Sequence, residues 1–250
     1  MMACYNEFAR FYDRFITPVD YKARAKYFDM LIKRYIGEQQ NLLLDSACGT
    51  ASLSIELSKL GYEVIAVDGS AQMLMEAQQK CFESGERILL LNQQMEDLDL
   101  YGTINACVCA LDSLNHLTDF KSLKQALSRV SLFLEPGGVF VFDMYTPNKH
   151  RELLGDNCYV YEDDSAMCVW RNRTDENLVT EIELDFFTCR KDGKYDRSSE
   201  SFCERGYDAT EVEKLLSECG LKLDALYAAD TLEPVNDRTE RYIFVAVKEK

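Results

Sequence analysis

The sequence predicts an α/β protein: a mostly parallel seven-stranded sheet with helices on both faces, plus an antiparallel β segment inserted late in the chain. Three observations predict it. Leu42-Leu43-Leu44 ends in Asp45, small residues follow at 46, 47, 49 and 51, and Leu53, Ile55, Leu57 and Leu60 then recur near helical spacing. That is a buried strand, a tight turn and a helix. Residues 63–68 (Glu-Val-Ile-Ala-Val-Asp) read as a second strand ending in a carboxylate, which makes the unit βαβ. From 157 to 203 the helical period gives way to β-rich segments with charged turns.

The other elements follow in order. Residues 4–36 carry no glycine and one proline, Pro18, and read as two helices near 4–15 and 21–36. Tyr5, Phe8, Phe11 and Tyr12 form an aromatic face on the first. Strands three and four fall at 87–92 and 104–110, a helix spans 119–133, and strand five, 139–143, follows a turn at Pro136-Gly137-Gly138. Within the β-rich stretch, 159–161, 166–171, 178–189 and 194–203 read as strands, and Lys191-Asp192-Gly193-Lys194 is a hairpin signal. A helix at 209–219 and strands near 222–229 and 241–247 close the sheet. The expected organisation is a core of 1–156 and 204–250, with 157–203 as a cap over the crevice.

In open parallel sheets ligands sit beyond the carboxyl ends of the strands, so Asp45 and Asp68 should share one crevice. A dinucleotide site needs Gly-x-Gly-x-x-Gly so that backbone can approach a pyrophosphate. Here the register is Ala47-x-Gly49-x-Ala51, with a carboxylate just before the turn. That carboxylate would repel a pyrophosphate and would suit a cofactor end bearing an ammonium and a sulfonium. Asp68, 23 residues further on, fits an acceptor of hydrogen bonds from a ribose diol. Alanine resists positive φ, so Gly49 is expected to carry whatever left-handed backbone the turn requires.

Asp45-Ser-Ala-Cys-Gly-Thr-Ala resembles motif I of the class I S-adenosylmethionine-dependent methyltransferases, usually Asp-x-Gly-x-Gly-x-Gly, with Ala47 and Ala51 in place of two glycines. Val67-Asp68-Gly69-Ser70-Ala71-Gln72-Met73-Leu74 resembles their ribose-binding second motif. The segments Tyr-x-x-Phe-Ala-x-x-Tyr-Asp at 5–13, Leu-x-Pro-Gly-Gly-x-Phe-x-Phe-Asp at 134–143 and Arg-x-Tyr at 205–207 resemble further parts of the small-molecule members. The resemblance implies a Rossmann-like core and S-adenosyl-L-methionine as cofactor. It implies cofactor contacts from Tyr12, Tyr21, Asp45, Ala47, Cys48, Gly49, Asp68, Gly69, Met73, Gln94, Met95 and Leu111. Among these, Tyr12 and Tyr21 would reach the methionyl end. Gln94, standing where the family often has an acid, would serve the adenine edge together with Met95.

The same family places its donor methyl and the start of the acceptor pocket in the stretch 111–117. Asp112, Asn115, Tyr145, Trp170, Arg205 and Tyr207 are the acceptor-side candidates, with Phe186 as a further wall residue. Transfer from a sulfonium is an in-line displacement in which positioning and dehydration supply much of the acceleration. Where the acceptor must lose a proton, His116 is the candidate base, its ordinary pKa lying near neutrality. No Asn-Pro-Pro-Tyr occurs, which argues against the exocyclic-amine DNA methyltransferases that use it.

Composition narrows the partners. Lys+Arg of 28 against Asp+Glu of 43 gives a net charge of −15, which disfavours nucleic acid and anionic membranes. The ten cysteines contain no Cys-x-x-Cys pair, and neither histidine stands at ligand spacing from them, so no metal site is expected. No signal peptide and no apolar run near 18 residues is seen, and the reading is a cytoplasmic protein, monomer or homodimer. The function expected is methyl transfer to a small-molecule acceptor. The rivals are a non-catalytic adenosyl-ligand-binding protein and, disfavoured by the glycine pattern and Asp45, a dinucleotide-dependent oxidoreductase.

Overall fold

The computed structural model describes residues 19–37 and 41–249, so the expected helix at 4–15 and Tyr12 lie outside the described residues. Helix α1 (Tyr21–Ile32) opens on Asp20, whose side chain accepts from the Ala23 N–H at 2.9 Å. It stops at Ile32 and continues to 36 only as turns.

Seven strands form the main sheet: β1 (Leu42–Ser46), β2 (Glu63–Asp68), β3 (Leu89–Asn92), β4 (Ile104–Cys109), β5 (Leu134–Tyr145), β10 (Leu221–Ala228) and β11 (Arg241–Lys248). Their order is β10-β11-β5-β4-β1-β2-β3. The first five run parallel, and β11 is antiparallel to both neighbours. From β1 the chain builds outward through β2 and β3, then restarts on the other side with β4. That reversal opens a crevice above the ends of β1 and β4.

Alternation along β5 divides the core between the two faces. Phe140, Phe142 and Met144 meet Phe244 and the buried sides of α4 (Phe120–Phe133) and α5 (Ala209–Glu218). Val139 and Val141 meet α1 and α2 (Ser52–Lys59) through Phe28, Leu31 and Leu57. Helix α3 (Ala71–Ser84) packs on α2 through Ala77 and Cys81.

Pro136-Gly137-Gly138 is not a turn ahead of strand five but a bulge inside it. Ile104 pairs with Leu134 and Ala106 with Val139, so five positions of β5 advance against two of β4. Gly137 takes a φ of 83°, and a Cβ on Gly138 would lie 2.8 Å from the Asn105 carbonyl oxygen. The glycines make room for this excursion of the strand.

The second sheet is antiparallel, in the order β6 (Cys158–Glu162), β7 (Ala166–Thr174), β8 (Val179–Cys189) and β9 (Tyr195–Arg205). Its turn between β8 and β9 uses Gly193 at φ 79°, whose N–H donates to Arg190. Ala166, Cys168, Ile182, Leu184 and Phe186 form its core together with Met73 of α3, which fixes the sheet over the start of that helix. Phe186 is therefore interior, 1% exposed, and not an acceptor wall. Strand β9 runs two residues past the expected end, carrying Glu204 and Arg205 into the junction with the core.

Candidate active site

The turn after β1 is left-handed at all three glycine positions of the motif. Ala47 has φ 58°, Gly49 φ 55° and Ala51 φ 59°, so the expectation that Gly49 alone carries the unusual backbone is corrected. Left-handed alanine costs roughly 1–2 kcal/mol each, and local bonding offsets it. Cys48 N–H donates to the Val67 carbonyl, Ala51 N–H to Cys48, and Gly49 N–H to Asp68 Oδ2 at 2.8 Å. The Ala51 methyl is wholly buried against Ile55, Ala77 and Cys81.

Asp45 does not line the crevice. It is buried beneath the turn, accepts from Ser54 Oγ at 2.5 Å, and is pushed up to about 7 by burial, with the Ser54 bond working the other way. It ties the turn to α2. Asp68 does face the crevice, with Oδ2 on Gly49 N–H and Oδ1 on Ser70 N–H, both at 2.8 Å. Burial raises its pKa, and those two N–H groups oppose the rise. Each carboxylate oxygen keeps a further lone pair for a diol.

Beside it, a Cβ on Gly69 would stand 2.5 Å from Gln94 Oε1. The absence of a side chain at 69 lets that amide lie against the backbone, forming a narrow shelf. Ala47, Met73, Met95 and Leu111 complete this end of the crevice. Cys48 lies below it, and Tyr21 faces a separate shallow depression with Ser52, Glu56 and Lys80, so neither lines it.

The loop after β4 is held in a strained form, with Leu111 at φ 60° and Asp112 at φ 56°. One buried carboxylate fixes it: Asp143 accepts from Leu111 N–H at 3.0 Å and Asp112 N–H at 2.6 Å. Arg24 and Arg241 reach the same carboxylate at 2.5 and 2.6 Å, and Arg241 also pairs with Asp112 at 2.7 Å. Burial works to raise the Asp143 pKa, but the two guanidinium groups and two N–H groups together hold it below the ordinary value. Asn115 is buried and splints the loop, donating to the Tyr145 and Arg205 carbonyls and accepting from Tyr145 N–H.

His116 lines the crevice, its Nε2 3.6 Å from Glu204 Oε1 and its ring 5.1 Å from that of Phe202. Burial lowers its pKa to about 4, so it is neutral at physiological pH and a weaker base than its residue type suggests. Asp112, Tyr145 and Trp170 line the same space. Arg205 and Tyr207 do not: the guanidinium stacks between Phe120 and Tyr207, and the Tyr207 hydroxyl donates to the Leu117 carbonyl. Both hold the loop from behind.

The structure adds Arg24, Lys149, Glu204 and Arg241 to this wall. Asp143 had a sequence signal, closing the segment at 134–143, but its two arginines lie 119 and 98 residues away and had none. Glu204 sits between residues already singled out, and strand alternation turns it opposite to Arg205. The whole cavity measures about 1520 Å³, more than the roughly 300–1,000 Å³ of a single-ligand pocket. It accommodates a cofactor and an acceptor side by side.

Among the described residues, all nine cysteines are free thiols, no metal-ligating cluster is found, and no helix is long and apolar enough to cross a membrane.

Comparison with known proteins agrees with this geometry. A family model described as a methyltransferase domain matches residues 43–138. The Bacillus subtilis (strain 168) protein YqeM, named as a methyltransferase, is 30% identical over 248 residues, 98% of each chain. A crystal structure of an S-adenosylmethionine-dependent methyltransferase from Clostridium acetobutylicum ATCC 824 superposes with a TM-score of 0.88 at 30% identity, covering 99% of this chain and 100% of that one. The glycine/sarcosine N-methyltransferase of Halorhodospira halochloris is 27% identical over 199 residues, 73% of each chain.

The chain belongs to the S-adenosylmethionine-dependent methyltransferases, which overturns the oxidoreductase alternative. S-adenosylmethionine is its cofactor, and the site fits it: two backbone N–H groups fix the Asp68 carboxylate on the crevice wall, where it would accept from a ribose diol, and the Gly69–Gln94 shelf lies next to it.

Proposed function

We propose that the protein methylates the nitrogen of a small-molecule amine, with Asp112, Tyr145, Trp170 and His116 forming the acceptor side of the crevice. The observation that carries this reading is the charge of the inner wall. Three of its cations are already engaged, Arg24 by Asp143 and Asp230, Arg241 by Asp143 and Asp112, and Lys149 by Glu240, while Arg238 lines it as an exposed side chain. Glu204 and Glu181 line the same space. The carboxyl groups there can pair with a cationic amine, whereas an anionic acceptor would find no free counter-charge among the engaged cations. Relatives named as glycine/sarcosine N-methyltransferases support the choice of nitrogen.

When bound, the cofactor supplies an electrophilic methyl group on its sulfonium. The chain's own work is placement. Asp68 and the Gln94 shelf would hold the adenosine portion, and the clamped loop 111–117 would set the distance between donor and acceptor. Neutral His116 offers a ring-nitrogen lone pair to an acceptor N–H. The second sheet, as a cap of 157–203, would close over the acceptor and keep water out. Nothing in this scheme needs nucleic acid or a membrane.

The test is incubation of the purified protein with methyl-labelled S-adenosylmethionine and matched panels of amines, alcohols and thiols. Products are identified by mass and by the chemical shift of the new methyl group. An N-methyl product is expected. Methyl transfer to oxygen, sulfur or carbon alone would overturn the choice of nitrogen. Cofactor binding with no product would favour a non-catalytic role.

A further inference from the structure

We propose that Glu204 is the residue that receives the acceptor's cationic amine, forming a carboxylate–ammonium pair inside the crevice beside His116. The inference rests on the amine reading above and goes further by naming the residue and the form in which the acceptor binds.

Glu204 is the penultimate residue of β9, paired with Thr180 of β8. Its side chain is 5% exposed and lines the crevice. Oε1 stands 3.6 Å from His116 Nε2, and Oε2 is buried with no hydrogen-bond partner among the described residues. Buried polar atoms are nearly always satisfied, so an orphaned carboxyl oxygen in a ligand cavity points to a group that the ligand brings. Arg241, a cation of the same wall, is turned to Asp143 and Asp112.

The groups facing Glu204 favour a cation. Asp112 and His116 come from the loop and Tyr145 and Arg241 from the strands beneath, while Glu181, paired with Cys203, lies on the opposite face of the sheet. Burial first, and then the Asp112 charge, push the Glu204 pKa well above the ordinary carboxyl value, against the opposing pull of Arg241. In the free crevice burial and the Asp112 charge thus both favour the protonated carboxyl. An incoming ammonium replaces that proton: the carboxylic acid ionises, its proton leaves to solvent, and the N–H groups of the acceptor take both oxygens. Binding of the ammonium form releases one proton, and the nitrogen gains the lone pair that methyl transfer needs when it passes a further proton to the Glu204 carboxylate, whose raised pKa suits it to accept one.

The experiment uses the full chain, saturated with S-adenosylhomocysteine and labelled with ¹³C at the glutamate side-chain carboxyls. Butylammonium chloride is the probe, with 1-butanol as its uncharged counterpart, and Glu204→Gln identifies the Glu204 resonance. The expected result is a protonated Glu204 near neutral pH that ionises on adding butylammonium and not butanol. Calorimetry in buffers of different ionisation enthalpy should then show one proton released. Glu204→Gln should weaken butylammonium at least tenfold and leave S-adenosylhomocysteine within about twofold. A Glu204 already ionised in the free protein, or equal butylammonium affinity in the variant, would overturn the proposal. Should Glu204→Gln misfold, the wild-type titration and proton count decide the matter alone. Failure of butylammonium to bind the wild-type protein would sink the amine reading with this one. An N-methylated product together with an indifferent Glu204→Gln would sink this one only.

Discussion

Arg24 on the first helix and Asp143 on the central strand form an ion pair of 2.5 Å, with both side chains buried. The pair does more than join two elements, because the same carboxylate accepts from the backbone of Leu111 and Asp112. Helix α1, the end of β11 and the loop after β4 thus converge on one side chain. Asp143→Ala should leave Arg24 and Arg241 with only their second partners, Asp230 and Asp112, and the Leu111 and Asp112 N–H groups without an acceptor, and cost about 3–5 kcal/mol, read as a fall in the urea midpoint. Arg24→Met should cost less, since Arg241 remains on Asp143. Equal, small losses from both would mean that the clamp is peripheral.

Cofactor affinity should depend on Asp68. Hydrogen bonds to a charged group are worth about 1.5–3 kcal/mol, and the carboxylate is prepositioned by Gly49 and Ser70. Asp68→Ala should weaken S-adenosylhomocysteine by roughly tenfold to several hundredfold in calorimetry, with the far-ultraviolet spectrum preserved. Unchanged affinity would place the ribose elsewhere.

Asp45 should make stability pH-dependent. Its pKa is about 7 in the folded protein against 3.8 for the free carboxyl. Between those values the folded chain holds a proton that the unfolded chain has lost, so stability falls as pH rises through the window. Asp45→Asn removes that dependence. The variant should match the parent near pH 4 and exceed it increasingly up to neutrality, by on the order of 4 kcal/mol at most. Denaturant midpoints measured across the range check this, and a constant offset between the two proteins would refute it.

Ala47→Gly should stabilise the protein by up to about 1 kcal/mol, because glycine relieves the left-handed strain at little cost in burial. Ala51→Gly should gain less or nothing, since it gives up a methyl that is fully buried. Thermal midpoints of the two single variants make the comparison. The opposite ranking would show that the strain is not where the backbone angles put it.

These contrasts mark what could be read in the chain alone. Periodicity showed the strand-turn-helix units, because local burial writes itself into spacing; hence β1, α2, β2 and the hairpin at Gly193 were legible. Asp68 follows from its distance to the motif, whereas Gly69 and Gln94 are reached only through the resemblance to the family; all three line the crevice. Ala47 and Ala51 misled because propensity describes an unconstrained residue, while here hydrogen bonds and burial override it. Arg24 and Arg241 were invisible, since their partner is distant in sequence and ion pairs leave no period. Asn115, Arg205 and Tyr207 read from sequence as acceptor contacts, and in the structure they brace the loop from behind. Residue type suggests that a side chain matters, but not which way it faces.

Strand β9 gives the hairpin at 189–195 an influence out of proportion to its place on the surface. Successive residues of a strand point to opposite faces, so Phe202 and Glu204 share the face that meets His116 while Cys203 and Arg205 take the other. Inserting or deleting one residue in that hairpin would exchange the face seen by the acceptor, replacing a carboxyl with a thiol or a guanidinium, while the cofactor half of the crevice stayed as it is. Acceptor preference in such a scaffold can change by a slip in alignment, without a single substitution in the pocket wall.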